Sequence, residues 1–151
     1  MWLSCNNLSQ SKNGWAQLNR RRNCAVAIDG EQKARESGTR FMPKFDANGL
    51  LSAVAVDSES GRVLMVAFMD AEAIEATRRT GKAHFHSRSR GKLWCKGETS
   101  GNVLQVREIL VDCDQDALVL RCDPAGPTCH TGATSCFYRR LDGDELHPHG
   151  D

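Results

Sequence analysis

The chain has 151 residues, 40% of them hydrophobic and 26% charged, and twenty Lys/Arg against nineteen Asp/Glu leave a net charge of +1. These values describe one soluble globular domain, long enough to bury a core without disulfides. They exclude a membrane-spanning helix, which needs about 20 consecutive apolar residues, and they lack the global basic field of a nucleic-acid-binding protein.

The charge is uneven along the chain. Residues 1–44 carry eight Lys/Arg and three Asp/Glu, a balance of +5, and the remainder carries twelve and sixteen, a balance of −4. The basic excess centres on Arg20-Arg21-Arg22. Such a segment could bind an anion or serve as a targeting presequence, but its terminal position favours a solvated, poorly ordered tail. No secretory apolar stretch follows the N-terminus, and seven cysteines without one point to a reducing, cytoplasmic setting. There, clustered cysteines bind metal or act in catalysis.

Residues 1–35 are polar with no sustained period and are expected to be an irregular, variable extension. A folded domain is expected over residues 36–141, with a polar C-terminal tail over 142–151. Residues 50–57 are rich in small and β-branched residues, 62–69 are a second apolar run, and the two flank a turn cluster at 58–61, the pattern of a hairpin. Asp70 then caps a helix over about 70–80, with Arg78 and Arg79 in its last turn and Gly81 as its stop. Short strands follow at 83–86 and 93–95, separated by a loop at 87–92. After a second loop at 97–102, the alternation over 103–111 predicts a longer strand. Residues 117–122 form another, 124–132 are irregular, and 136–140 are expected to be the last strand. The count favours a β-rich α+β domain with one main helix.

Three segments carry chemistry. In Asp112-Cys113-Asp114-Gln115-Asp116, an extended backbone would put the three aspartates on one face and Cys113 on the other. Clustered carboxylates suit a hard cation such as Mg²⁺, and a thiolate suits a softer one such as Zn²⁺; the same segment also reads as an acidic turn beside a structural cysteine. Cys129-His130 and Cys136 form the second segment, and with Cys113 they supply three thiols spaced 16 and 7 residues apart. Three protein ligands describe a catalytic zinc site with an open position. Cys122 is a possible fourth ligand but reads better as an apolar strand residue. The third segment runs from Ser87 to Gly101. It offers Ser87, Arg88, Ser89, Arg90 and Lys92, then Trp94, Lys96, Glu98, Thr99 and Ser100, among three glycines. Arginine forks, hydroxyls and closely approaching backbone suit a small phosphorylated substrate. Trp94 could stack on a base or lie in the core, and Glu98 could act as a general acid or base or only pair a charge. His84 and His86 share one strand face and could chelate a metal, although partly buried polar roles are commoner.

Taken in this order, the segments resemble the phosphoribosyl-AMP cyclohydrolase family of histidine biosynthesis. The resemblance runs from about residue 36 to 140. It rests on Phe45-Asp46, Gly49-Leu50, Thr80-Gly81-Lys82-Ala83-His84, Ser87-Arg88-Ser89-Arg90-Gly91-Lys92-Leu93-Trp94 and Lys96-Gly97-Glu98-Thr99-Ser100-Gly101. Asp112-Cys113-Asp114-Gln115-Asp116, Cys129-His130-Thr131-Gly132 and Ser135-Cys136-Phe137-Tyr138 complete it. It implies a small barrel-like mixed sheet and an intertwined homodimer. It implies hydrolytic opening of the adenine ring of 1-(5-phosphoribosyl)-AMP between N1 and C6 by a zinc-activated water. The product would be the phosphoribosylformimino-aminoimidazole carboxamide ribotide. It implies Zn²⁺ on Cys113, Cys129 and Cys136, one per subunit, with Cys113 from one chain and the other two from its partner. It implies Mg²⁺ on Asp112, Asp114 and Asp116. His130, beside a ligand cysteine, is the candidate to protonate N1 or orient the water, with His84 as a second candidate. The chain ends soon after Tyr138 and is expected to be the form without the pyrophosphohydrolase domain that many relatives carry. Cys95 and His86 receive no role.

Two rivals from other classes remain in view. A zinc-dependent purine deaminase would release ammonia, but its H-x-E…P-C-x-x-C signature is missing. A non-enzymatic, zinc-stabilised RNA-binding module is disfavoured by the even charge and by an aromatic content of only 6%.

Overall fold

The structure is a computed structural model that describes residues 30–150. The first element is helix α1 (Gly30–Ser37), which corrects the expectation of irregular chain through residue 35. No residue of α1 is buried, so it carries no apolar period to be read. Its turns are spanned instead by Glu31–Arg35 at 2.9 Å and Gln32–Glu36 at 2.7 Å, both four residues apart. Residues 1–29, with the Arg20-Arg21-Arg22 run, lie outside the described residues.

The expected hairpin follows. Strand β1 (Leu51–Asp57) pairs antiparallel with β2 (Val63–Met69). Asp57 closes the turn, accepting hydrogen bonds from the Ser60 amide and hydroxyl at 2.7 Å each. Alternation along β1 sends Leu51, Ala53 and Ala55 inward.

Helix α2 (Ala71–Thr80) then packs against β2 and the two strands that follow the helix. Both of its ends match the sequence signals. Asp70 Oδ1 accepts from the Ala73 amide at 2.8 Å, and Gly81, at φ 70°, donates its amide to the Thr77 carbonyl. Ala73, Ile74, Ala76 and Thr77 form the buried face.

Strands β3 (His84–Ser87), β4 (Lys92–Cys95), β5 (Leu104–Val111) and β6 (Ala117–Pro124) complete a six-stranded sheet in the order β4-β3-β2-β1-β6-β5. The pairing of β1 with β6 is parallel and every other pairing is antiparallel. The chain just ahead of β3 reaches the far edge: Ala83 donates to the Leu104 carbonyl at 2.9 Å and Val106 to the Gly81 carbonyl at 2.7 Å. The sheet therefore curls into a half-closed barrel around Leu64, Met69, Phe85, Leu104, Leu118 and Leu120. The architecture is the expected β-rich α+β class.

The C-terminal end differs from expectation. The last strand over 136–140 is displaced: β7 (Arg139–Asp142) starts later and pairs with β8 (Glu145–Pro148). Residues 142–148 of the polar tail thus form part of a hairpin. Asp142 pairs with Glu145, and Gly143, at φ 59°, opens the two-residue turn Gly143-Asp144 between them. Among the described residues, no helix is long and apolar enough to cross a membrane.

Asp70 does two jobs, since its second oxygen lies 2.6 Å from His86 Nδ1 and ties α2 to β3. Asp70→Ala is expected to cost about 2 kcal/mol, combining a lost cap with an unpaired, partly buried imidazole. Gly81→Ala is expected to cost about 1–2 kcal/mol from its left-handed backbone alone. A Cβ there would also lie 2.7 Å from Gln105 Nε2. Urea unfolding checks both.

Candidate active site

The loop after β4 is shaped by its own polar groups. Glu98 accepts from the Cys95 amide at 3.2 Å, and Lys96 Nζ donates to the Asn102 carbonyl at 3.3 Å. Gly97, at φ 84°, lies against the returning chain so closely that a Cβ would sit 2.4 Å from Asn102 and Val103 backbone atoms. The segment 128–136 folds back on itself through Thr128 to the Thr134 carbonyl and Cys129 to the Ala133 carbonyl. It is anchored on β2, where the Cys136 amide donates to the Leu64 carbonyl at 2.8 Å and the Ser135 hydroxyl to that of Val63 at 2.7 Å.

These two segments face each other across a cavity of about 550 Å³. One wall holds Trp94, Cys95, Lys96, Glu98, Thr99 and Ser100, with Arg90 at its end. The other holds Thr128, Cys129, His130 and Cys136. The Cys129 and Cys136 thiols line the same cavity, and each perturbs the other's titration. Thr131 Oγ1 donates to Cys129 Sγ at 3.1 Å, and this bond foremost holds the Cys129 thiol below its ordinary range. Burial foremost, and then the neighbouring Cys129, pushes the Cys136 thiol up. His130 Nδ1 lies 3.9 Å from Cys129 Sγ. The Thr128 hydroxyl is buried with no hydrogen-bond partner.

Cys113 does not join this pair. Among the described residues, the one set of three potential ligands gathered within 4.8 Å is Asp112, Asp114 and Asp116. Their convergence comes from a turn rather than from strand alternation. Gln115 adopts φ 63° at its centre, and the Asp112 carboxylate accepts from the Ala117 amide at 3.0 Å. Lys44 Nζ stands 2.6 Å from the Asp114 carboxylate and 3.6 Å from that of Asp116. That hydrogen bond holds Asp114 below the usual carboxylate range and Lys44 above the usual ammonium range.

The other expected site residues divide. Arg90 lines the thiol cavity and donates to the Ser87 hydroxyl at 3.1 Å. Arg88 lies over the Phe68 ring at 4.0 Å, and Phe68 lines a smaller cavity with Lys44, Ser52 and Asp116. Ser87, Ser89, Lys92 and His84 are not in the wall of the thiol cavity. His84 Nδ1 sits 2.8 Å from the Lys82 carbonyl. Trp94 serves both core and cavity, with its ring 5.4 Å from that of Phe85. Cys122 is a buried strand residue whose thiol is pushed up to about 12 by burial.

A sequence profile of the family Phosphoribosyl-AMP cyclohydrolase matches residues 65–138. The chain is 65% identical over 108 residues to a phosphoribosyl-AMP cyclohydrolase of Erythrobacter litoralis, covering 72% of this chain and 86% of that one. It is 63% identical to that of Sphingopyxis alaskensis, covering 73% and 87%. It is 58% identical to that of Brucella anthropi, covering 76% and 83%. The chain belongs to the phosphoribosyl-AMP cyclohydrolase family.

Every cavity-wall residue and the acidic turn fall inside the segment that matches the cyclohydrolase profile. Cys95, Thr128 and Asn102 also line the cavity and carry no sequence signal beyond standing beside the motifs. Thr131, named in the sequence only as part of the Cys129-His130-Thr131-Gly132 motif, gains its role here from its bond to sulfur. Thr131→Val removes the leading cause of the low Cys129 pKa, so its thiolate should form at higher pH. The pH dependence of Cys129 alkylation in metal-free protein, followed by mass spectrometry, checks this.

Proposed function

We propose that the chain adds water to 1-(5-phosphoribosyl)-AMP and opens its adenine ring between N1 and C6. The product is the phosphoribosylformimino-aminoimidazole carboxamide ribotide of L-histidine biosynthesis, formed in the cytoplasm. The observation that carries this reading is the thiol pair. Cys129 and Cys136 line one cavity with Arg90, Lys96 and His130, in a chain of this family.

The donor set fits a zinc ion. Two thiols share the cavity and one of them is already eased toward thiolate, the form that binds metal. Cys129 and Cys136 would hold zinc together with Cys113. Zinc supplies the acidity that brings a water to a pKa of about 7. Cys113 stands apart from the pair in its own chain, which supports a homodimer whose partner copy provides the third thiol. Oxygen-only donors at Asp112, Asp114 and Asp116 fit a hard cation such as Mg²⁺.

Arg90 and Lys96 bind substrate phosphate through charge-assisted bonds, with Thr99 and Ser100 as further donors. His130, beside Cys129, delivers a proton toward N1 as the ring opens. His84, outside the cavity wall, is assigned no step.

Purified protein should open phosphoribosyl-AMP, seen as an ultraviolet absorbance change, with no ammonia released and with loss of turnover on zinc chelation. Ammonia release would identify a deaminase instead, and metal-replete protein without turnover would end the cyclohydrolase reading. His130→Ala should lower kcat by about 10²-fold or more with KM little changed; unchanged turnover removes it from the mechanism. Cys113→Ser and Cys136→Ser should each be inactive and lose zinc. Mixed through unfolding and refolding, they should regain activity, because one of the two sites in a mixed dimer is intact. No recovery would place all three ligands in one chain.

A further inference from the structure

We propose that Lys44 is a tethered competitor for the divalent cation at the 112–116 turn and sets the concentration at which that turn fills. This rests on the reading that the turn is a cation site.

The three carboxylates carry a formal charge of −3 with oxygens within 4.8 Å of one another. Repulsion at that spacing is relieved by a cation, and the chain brings its own. Lys44 Nζ is 2.6 Å from Asp114 and 3.6 Å from Asp116. An ordinary surface lysine would leave at little cost. This one is held by its backbone to the turn that it neutralises. The Lys44 amide donates to the Gln115 carbonyl at 2.8 Å, and the Met42 amide donates to Gln115 Oε1 at 2.6 Å. Gln115 Nε2 donates in turn to the carbonyls of Arg35 at 2.8 Å and Arg40 at 3.3 Å. Gln115 is buried, and these bonds are partly shielded from water. The ammonium is therefore presented to the carboxylates at a high effective concentration.

An ammonium has no lone pair and cannot join the coordination shell. Lys44 and a divalent cation compete for the same Asp114 oxygens, and whatever overlap remains is repulsive. By linkage, each weakens the other by the same factor. Lys44 also borders the small cavity beside Ser52 and Phe68, which gives the side chain room to withdraw.

Calorimetric titration of the full chain with Mg²⁺, at fixed ionic strength, tests this on wild type, Lys44→Met, Lys44→Gln, Lys44→Arg and Asp114→Asn. Mg²⁺ leaves thiols untouched, so the heat reports the oxygen site. Both neutral variants should bind Mg²⁺ about tenfold more tightly than wild type, within the usual range of coupling between linked sites. Lys44→Arg, which keeps the charge, should stay close to wild type, and Asp114→Asn should bind weakly. Equal or weaker binding by both neutral variants, with Asp114→Asn still impaired, overturns the proposal and leaves the cation site standing. Asp114→Asn binding as tightly as wild type removes the cation site, and the proposal with it.

Discussion

The parallel pairing of β1 with β6 decides where everything else lies. It joins Ser52 to Ala117 and Asp57 to Cys122, segments about 65 residues apart in sequence. Parallel strands begin at the same end, so the acidic turn that leads into β6 arrives beside the chain that leads into β1. The Ser52 amide donates to the Asp116 carbonyl, and the Lys44 amide reaches Gln115. At the other end of β1, the start of β2 anchors Cys136 through the Leu64 carbonyl. The register separates these two anchoring points by about four residues of strand, from Ser52 to Val56, or roughly 13 Å. One pairing thus keeps the thiol pair and the acidic turn at opposite ends of the same ladder, which is why the three cysteines do not meet within a chain.

Signals that act over a few residues were legible in the sequence. Asp70 and Gly81 bracket α2 because a cap and a left-handed stop are decided locally. The 58–61 turn is closed by Asp57, as such a cluster requires. What escaped was either featureless or non-local. Helix α1 buries nothing, so no apolar period marks it. The terminal hairpin keeps Leu141 and Leu146 exposed and has little apolar pattern to betray it.

The candidate site was legible as residue types and less so as an arrangement. The motifs did name Cys129, His130, Cys136, Arg90, Lys96 and Glu98, which share a cavity. Alternation suggested that the aspartates converge because a strand puts them on one face. They converge because Gln115 reverses the chain. Arg88 turns to the Phe68 ring, which comes from β2, outside the loop itself, whereas Arg90 lines the thiol cavity and bonds Ser87.

Gln115 places an unusual demand on its own position. Its backbone occupies the left-handed region, where glycine is the unstrained choice. Its side chain simultaneously fastens Met42, Arg35 and Arg40, which glycine cannot do. Asparagine tolerates such a backbone but is one methylene too short to span the same acceptors and donor. The residue that relieves the strain loses the clamp, and the one that approximates the clamp misses its reach. Drift at this position is therefore closed off from both sides, and the Lys44 segment and the acidic turn are bound to change together or not at all.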